Sequence, residues 1–382
     1  MKISFITSTR ADFGLLKNLI LEVKKNKRFK VSVIASGTHF SKKFGKTFKE
    51  IEKNKIRINQ RIVFKSIPDT EIGISKIFGK CVEKTTNILK KNYPDLLIVL
   101  GDRYEILASV ISANILKIPV AHIHGGELTF GAIDDAFRHS ITKMSHVHFT
   151  ANPIYRKRVI QLGENPKNVH VVGGLGIDSL KKTKLLSKKE LEKKFNFKFK
   201  KKNFIVCFHP ETSSKISPKK QISEVLSAFK KLEDTLIIFT MPGADLGNYI
   251  INKEIKKFVK TNKDSFFYKS LGQKNYFSLL GQVDAIIGNS SSGILEMPYF
   301  QKATINLGTR QLGRLSSKSI INVGIKKKEI EKSLKKISSP GFKKIIKKSK
   351  KYYGKEGAPL RILKVLKNLN TQNLFQKRFF NI

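Results

Sequence analysis

The chain lacks the features that mark secreted and membrane-spanning proteins. Its 382 residues include no tryptophan and two cysteines, Cys81 and Cys207, which lie far apart and form no C-x-x-C pair. No apolar run approaches the roughly 18 residues that a membrane-spanning helix needs. The N-terminal MKISFITSTRADFG lacks the long apolar segment of a signal peptide and predicts a buried strand. We therefore expect reduced thiols, a cytoplasmic location and no membrane partner.

Acidic residues are scarce. The chain has 29 aspartates and glutamates against 75 lysines and arginines, which gives a net charge of +46. A large positive charge favours non-specific binding to polyanions. The lysines, however, are scattered as pairs through helical stretches and linkers. We interpret them as solvated faces and predict no specific nucleic-acid partner; a functional polyanion surface is the alternative.

Glycine-rich nucleotide motifs are also missing after the first predicted strand, which is followed by neither G-x-G-x-x-G nor a Walker A sequence. The glycines of GGLGID (173–178) lack the required spacing and an acidic partner further along the chain. Nicotinamide cofactors and P-loop chemistry are disfavoured, and we predict no cofactor.

Short apolar runs alternate with longer amphipathic runs, which predicts an α/β fold with parallel sheets. The predicted strands are 3–7, 31–35, 95–101, 120–124, 147–150, 204–209, 236–242, 284–289 and 303–307. We predict two doubly wound domains, 1–182 and 203–355, joined by a lysine-rich linker at 183–202. Polar residues follow the strands, so we expect a ligand cleft at the carboxyl ends of both sheets.

The densest group of acidic and histidine side chains lies between Gly101 and His148. Asp102 is a candidate acid/base residue, although D-R-Y-E at a helix start is also a capping-box pattern with Glu105 at the third helical position. Arg103 suits either a phosphate or a carboxylate partner.

His122 and His124 share one face of a predicted strand and form H-x-H-x-x-E with Glu127, a pattern that a metal half-site would also show. No further ligand follows at diagnostic spacing. We therefore predict no metal, a structural role for His122, and contact with substrate for His124 and Glu127.

Residues 133–146 predict a helix whose apolar stripe includes Ile133. Asp134 and Arg138 lie four residues apart on it, as in a surface ion pair, and Arg138 is also a candidate substrate-binding residue. The adjacent carboxylates of Asp134 and Asp135 also suit a proton acceptor.

Two motifs suggest phosphate binding. In GNSSSGILEMP (288–298), serine hydroxyls at a predicted helix start suit a phosphate, although a simple N-cap explains one serine. Glu296 follows at the right distance to accept hydrogen bonds from a ribose. Arg10 in STRADFG either binds a phosphate or is solvated while Thr9 or Asp12 caps the helix. His209 in FHPET ends a strand and is a candidate acid or charge stabiliser toward a leaving phosphate.

These blocks closely resemble the hydrolysing UDP-N-acetylglucosamine 2-epimerases of the bacterial sialic-acid-pathway type. The matching motifs are TSTRADFG, GDRYEI, HIHGGELTFGAIDDAFRHSITKMSHVHF, VIQLGENP, FHPET, IGNSSSGILEMP, ATINLGTRQLGR and YYGKEGAPLRIL. The resemblance implies a GT-B architecture, with a UDP-sugar bound in the cleft between two Rossmann-like domains. It also implies a C-terminal helix, about 359–382, that packs back on the first domain, and a homodimer.

The resemblance also implies roles for individual residues. Ser290, Ser291 and Arg10 match diphosphate ligands, and Glu296 matches a ribose ligand. Asp102 matches an essential carboxylate, His209 a group near the leaving nucleotide, and Asp134 and Asp135 an acidic pair near the sugar. Arg310 matches a basic position that contacts the nucleotide or an allosteric ligand. Many relatives read H-I-E-G-G-E where this chain reads H-I-H-G-G-E, so His124 replaces their catalytic glutamate, and Glu127 is expected to share its role.

The implied reaction converts UDP-N-acetylglucosamine and water to N-acetylmannosamine and UDP, by elimination to 2-acetamidoglucal and then hydration, for sialic acid synthesis. The same chemistry on UDP-N,N′-diacetylbacillosamine, for legionaminic acid, is an alternative that the motifs leave open. A GT-B glycosyltransferase is a second alternative, which the dense carboxylates of the first domain disfavour. A nucleic-acid-binding protein driven by the net charge is the alternative from another class.

Overall fold

The computed structural model describes residues 1–64, 70–130, 132–242 and 245–382. These residues form two compact units. The first unit comprises Met1–Glu127, Asp134–Lys181 and Tyr353–Ile382, and the second comprises Leu128–Ile133 and Lys182–Tyr352. Among the described residues, no helix is both long and apolar enough to cross a membrane.

The first unit is built on a parallel sheet. Its strands are β1 (Lys2–Thr7), β2 (Lys30–Ala35), β3 (Gln60–Arg61), β4 (Leu96–Leu100), β5 (Val120–Ile123), β6 (Val147–Thr150) and β7 (Val169–Val171). Their order within the described residues is β3-β2-β1-β4-β5-β6-β7. Ile3 of β1 pairs with Val31 on one side and with Leu96 on the other, so the strand order reverses beside β1. Ligands of open α/β sheets bind at such a switch point.

Helices cover both faces of this sheet. They are α1 (Arg10–Lys25), α2 (Phe48–Lys53), α3 (Glu71–Asn92), α4 (Tyr104–Ile115), α5 (Asp134–Lys143), α6 (Pro153–Gln161) and α7 (Leu175–Lys182), with 3₁₀ turns at Gly37–Phe40 and Pro166–Asn168. Helix α5 is shorter than the helix predicted over 133–146. Ile133 is 49% exposed and outside the helix, so its place in the apolar stripe was wrong.

The second unit repeats the design. Its strands are β8 (Lys202–Cys207), β9 (Thr235–Thr240), β10 (Ser265–Tyr268), β11 (Ala285–Gly288), β12 (Ala303–Leu307) and β13 (Ile320–Val323), in the order β10-β9-β8-β11-β12-β13. Its helices are α8 (Lys188–Phe195), α9 (Pro218–Phe229), α10 (Asn248–Thr261), α11 (Gln273–Gln282), α12 (Ser292–Leu295), α13 (Lys327–Ile337) and α14 (Pro340–Lys347), with a 3₁₀ turn at Met297–Phe300. All described strand pairings in both sheets are parallel, which confirms the predicted fold class.

Helix α8 lies in the segment 183–202 that the sequence suggested as a linker. Its N-terminus is closed by a capping box between Ser187 and Glu190, and Leu191 is buried. The backbone N–H of Leu186 donates to Ser278 Oγ at 2.9 Å. The segment therefore belongs to the second unit from residue 182 onward.

The C-terminal helix, α15 (Ala358–Lys367), packs on the first unit, where Ile362 and Leu366 join the same apolar cluster as Phe13 of α1. It ends at Lys367, so the predicted extent to about 382 was too long. The residues beyond it are still anchored: Lys377 Nζ lies 2.9 Å from both carboxylate oxygens of Glu164, and Phe380 N–H donates to Gly163 O at 2.9 Å.

Candidate active site

The loop that follows β1 is fixed by a buried carboxylate. Asp12 accepts hydrogen bonds from the Thr7 hydroxyl, from the backbone N–H groups of Ser8 and Thr9 (both 3.0 Å) and from Ser8 Oγ at 2.9 Å. Thr9 caps α1 and forms a capping box with Asp12. Burial raises the pKa of Asp12, against the hydrogen bonds that lower it. Arg10 is the first residue of α1 and is half-buried beside this fixed loop.

His39 supports the same loop, and no sequence motif predicted this role. Its Nε2 lies 3.0 Å from Thr7 Oγ1 and its Nδ1 lies 2.9 Å from Thr47 Oγ1. Burial lowers the pKa of His39 to about 3, so the ring is neutral at physiological pH. Its sequence context, in the turn after β2, gave no local signal of this role.

Asp102 is held by an arginine from another element. It follows β4, and its carboxylate pairs with the guanidinium of Arg138, which is 3% exposed and comes from α5. The same guanidinium donates to the carbonyl oxygen of His124 at 3.0 Å. Arg138 therefore joins the ends of β4 and β5, the two strands whose polar ends the sequence singled out.

The capping-box interpretation of Asp102 was wrong. Helix α4 begins at Tyr104 with Arg103 as its N-cap, and among the described residues no side chain makes a capping hydrogen bond there. Arg103 Nε instead donates to the buried Glu105 carboxylate at 3.0 Å. Of the two partners considered for Arg103, the structure shows the carboxylate.

His122 lies within β5 and has no freedom to bind a ligand. Its Nε2 lies 2.8 Å from Gly101 O, and its Nδ1 lies 3.1 Å from Thr142 Oγ1. Burial lowers its pKa to about 3. Both ring nitrogens are engaged within the protein, as the structural interpretation of His122 requires.

His124 and Glu127 form an imidazole–carboxylate pair at the end of β5. Nδ1 of His124 lies 2.9 Å from Oε1 of Glu127, and both side chains are buried. Nε2 of His124 is also buried, and it has no hydrogen-bond partner among the described residues. The backbone of His124 has φ +67°, a left-handed conformation that is uncommon for a non-glycine residue and clusters at functional sites. Gly126 follows with φ +78°, and a Cβ there would lie 2.4 Å from Tyr155 O.

Asp134 and Asp135 are the first two residues of α5, where carboxylates are favoured by the helix dipole. Asp135 Oδ2 lies 3.7 Å from His139 Nε2, one turn later. The structure thus gathers Asp102, the His124–Glu127 pair and Arg138 through direct contacts, and it places the two aspartates on the helix that carries Arg138.

In the second unit, His209 follows β8 and pairs with Asp245. His209 Nδ1 lies 3.0 Å from Asp245 Oδ2, and its Nε2 lies 3.9 Å from Cys207 Sγ. Burial lowers the pKa of His209, but the hydrogen bonds with Asp245 and Cys207 outweigh burial and raise it above its usual value. Burial raises the pKa of the Cys207 thiol, but interaction with His209 lowers it to about 7.

Asn289, which follows β11, fixes the backbone of His209. His209 N–H donates to Asn289 Oδ1 at 2.7 Å, and Asn289 Nδ2 donates to His209 O at 2.8 Å. The carbonyl of Asn289 in turn accepts from Arg310 at 3.1 Å and from Gln311 Nε2 at 2.9 Å. Arg310, half-buried, is therefore brought next to the His209 loop.

The serine motif lies at the start of a helix, as predicted, but the capping of this helix differs from the expectation. Helix α12 has four residues and begins at Ser292, its N-cap Ser291 makes no side-chain cap, and Ser290 Oγ accepts from Ser292 N–H at 3.4 Å. The simple N-cap explanation therefore fails for Ser291. Glu296, the C-cap residue, is buried. Gly288 requires glycine, because it has φ +136° and a Cβ there would lie 2.1 Å from Cys207 O.

Comparison with known proteins gives consistent matches. The family described as UDP-N-acetylglucosamine 2-epimerase matches residues 21–367. A GDP/UDP-N,N′-diacetylbacillosamine 2-epimerase (hydrolyzing) of Campylobacter jejuni is 37% identical, over 100% of this chain and 99% of the relative. Polysialic acid biosynthesis protein P7 of Escherichia coli is 35% identical, over 100% of this chain and 97% of the relative.

Among solved structures, the UDP-GlcNAc 2-epimerase from Neisseria meningitidis bound to UDP-GlcNAc has a TM-score of 0.83 at 20% identity, covering 97% of this chain and 100% of that one. Two Rossmann-like parallel-sheet domains with histidine and carboxylate side chains after their strands define an α/β protein of GT-B architecture. The chain belongs to the UDP-N-acetylglucosamine 2-epimerase family.

Proposed function

We propose that this chain is a hydrolysing 2-epimerase. It would cleave UDP from a UDP-2-acetamido sugar and invert C2, either on UDP-N-acetylglucosamine, to give N-acetylmannosamine, or on UDP-N,N′-diacetylbacillosamine. The observation that carries the proposal is the buried Nε2 of His124, oriented by Glu127 and joined through Arg138 to Asp102. A buried imidazole with a carboxylate on its other nitrogen suits proton transfer.

The order of bond breaking follows from the chemistry of the sugar. The C2 proton is not next to a carbonyl, so no ordinary side chain removes it directly. Cleavage of the C1–O bond gives C1 oxocarbenium character, and this acidifies C2–H. Loss of that proton leaves 2-acetamidoglucal and UDP. Water then adds its hydroxyl group at C1, and C2 is protonated on the face opposite to the one that lost its proton. This inverts C2 and yields the epimer.

The second unit is assigned to the leaving nucleotide. Negative charge develops on the diphosphate as the bond breaks, and fixed donors stabilise such charge best. His209 and Arg310, tied together through Asn289, supply two of these donors. Ser290 and Ser291 supply hydroxyls, and Glu296 binds the ribose.

The first unit is assigned to the sugar. Inversion at C2 requires one group that removes the proton and another that returns it on the other face. Asp102 and the His124–Glu127 pair are the two groups that Arg138 holds together, and we assign these roles to them. Asp134 and Asp135, at the start of α5, are assigned to contacts with the sugar.

Relatives support both candidate substrates. The Campylobacter relative at 37% identity is named for diacetylbacillosamine, and so is one from Legionella pneumophila at 31%. A Neisseria meningitidis relative, also at 31%, is named for UDP-N-acetylglucosamine. The two sugars differ at C4 and C6, away from the bonds that react.

Incubation of the purified protein with each UDP-sugar in heavy water tests the proposal. We expect release of UDP without an added acceptor, and a free 2-epimerised sugar that carries deuterium at C2. The better substrate is the one with the higher kcat/KM. Product without deuterium at C2 would contradict the elimination route, and UDP release that depends on an acceptor sugar would indicate a glycosyltransferase instead.

A further inference from the structure

Asp245 is a carboxylate to which neither the motifs nor the proposed reaction assigns a role. It lies between β9 and α10, 36 residues after His209 along the chain. Its Oδ2 is 3.0 Å from His209 Nδ1, and both side chains are largely buried. Because a carboxylate only accepts hydrogen bonds, Nδ1 of His209 carries the proton of this contact. The ring orientation and the tautomer of His209 are therefore set by Asp245.

Further contacts fix the backbone of His209 and place a thiol beside its other ring nitrogen. Its backbone is clamped on both sides by Asn289, at 2.7 and 2.8 Å. Its Nε2 has Cys207 Sγ at 3.9 Å, a weak and long contact. His209 is thus fixed at its backbone and at Nδ1, and Nε2 is the ring nitrogen that the Asp245 contact does not occupy.

The charges around the ring act in opposite directions. Burial lowers the pKa of His209 and so does the positive charge of Arg310, whereas Asp245 and Cys207 raise it. Asp245 is the first of the two raising contacts, and it is the one with a formal negative charge at neutral pH. Without it, burial and Arg310 would favour the neutral ring.

We propose that Asp245 is a positioning residue that acts through His209, holding the imidazole as an oriented cation toward the leaving diphosphate. The assignment rests on the proposed function for its role in turnover, while the control of the His209 ring by Asp245 can be observed without any substrate. Asp245 itself need not touch the nucleotide.

The test follows the titration of the His209 ring by NMR in the wild type and in Asp245→Asn, with His209→Asn used to assign the resonance. We expect the His209 pKa to fall by about one pH unit or more in Asp245→Asn, because an adjacent opposite charge has been removed. The alkaline limb of the kcat/KM profile should move to lower pH by the same amount. At neutral pH, kcat should fall by at least about tenfold, and Asp245→Glu should recover part of this loss.

A double-mutant comparison separates positioning from a general structural effect. If Asp245 acts through His209, adding Asp245→Asn to the His209→Asn variant should lower kcat no further. Asp264→Asn is the matched control, since Asp264 pairs with Lys200 at 3.1 Å in the same unit, away from His209, and should leave the titration unchanged.

An unchanged His209 titration in Asp245→Asn would overturn the inference, and so would an equal loss of activity in both backgrounds. Absence of turnover by the wild type on either UDP-sugar would instead count against the proposed function, with the titration still deciding the role of Asp245.

Discussion

Among the histidine–carboxylate pairs of the described residues, one pair from each unit can be compared, because the two have almost the same length and very different surroundings. His124 and Glu127 lie three residues apart in one loop, 2.9 Å from each other, and Nε2 of the histidine has no partner among the described residues. His209 and Asp245 come from the ends of different strands, 3.0 Å apart, and Nε2 of His209 faces a thiol. The first arrangement suits a group that gains and loses a proton, and the second suits a group that keeps its charge.

A third pair shows that a histidine–carboxylate contact alone does not identify a catalytic site. His148, inside β6, lies 3.0 Å from Glu164, whose carboxylate also receives Lys143 and Lys377. Burial would raise the pKa of Glu164, but His148 and Lys377 lower it to about 2. A carboxylate surrounded by this many cations anchors the chain rather than moving protons.

The largest expected effect is that of Glu127→Gln. The amide removes the carboxylate that lies 2.9 Å from Nδ1 of His124 and orients its ring, so we expect kcat to fall on the order of 10³-fold. Turnover and deuterium incorporation at C2 measure this, and circular dichroism checks that the variant is folded. The loss of kcat should exceed that of Asp245→Asn. Equal losses would contradict the proposal that the His124–Glu127 pair transfers protons while the His209–Asp245 pair stabilises the leaving diphosphate.

Arg138→Lys should have the next largest effect. A lysine has no planar fork with which to reach both the Asp102 carboxylate and the His124 carbonyl, so one of these groups loses its partner. We expect kcat to fall about 100-fold and the free energy of unfolding to fall by about 2–3 kcal/mol, because Arg138 is buried. Urea denaturation and turnover measure the two effects.

Arg61→Lys is the control for this substitution. Arg61 pairs with Glu52 at 2.8 Å, with side chains that are 51% and 44% exposed, and its loss should change stability by less than about 1 kcal/mol. If Arg138→Lys behaved like this surface pair, Arg138 would not be what holds the ends of β4 and β5 together.

The sequence predicted the central strands and missed the edges. All nine predicted strands are present, and within the described part of the chain four further strands were not predicted: β3, β7, β10 and β13, the outer strands of the two sheets. The central strand β4 is buried throughout, whereas β13 has one buried residue in four. Apolar runs reveal strands that are covered on both faces, and edge strands do not need such runs.

Side-chain partners were harder to predict than residue types. The motifs singled out Asp102, His124 and His209, but the pairing of Asp102 with Arg138 spans 36 residues. Local patterns favoured a capping box for Asp102 instead, because such patterns register only neighbours along the chain. Asp245 and His39 were missed for the same reason, since the partners in these contacts, His209 and Thr7, lie more than 30 residues away along the chain.

Glu164→Gln should affect stability and leave chemistry nearly unchanged. At pH 7 we expect the free energy of unfolding to fall by about 2 kcal/mol, because Lys377 and His148 lose a buried charged partner. The folded pKa of about 2 lies below the ordinary value of 4.5, so the stabilisation by Glu164 is present above pH 4.5 and is lost as the pH falls toward 2. Denaturation of the wild type and of Glu164→Gln across this pH range measures this effect. The difference between their free energies of unfolding should shrink as the pH falls.

Activity decides whether this third pair is really distinct from the other two. We expect kcat for Glu164→Gln to stay within about twofold of the wild type at pH 7, because Glu164 contacts the C-terminal segment and not the His124 cluster. Glu254→Gln, which removes the partner of the exposed Lys257, is the control and should alter neither property. A loss of activity as large as that of Glu127→Gln, in a protein that is still folded, would show that the His148–Glu164 pair also serves the reaction. The cations around a carboxylate would then not distinguish a structural pair from a catalytic one.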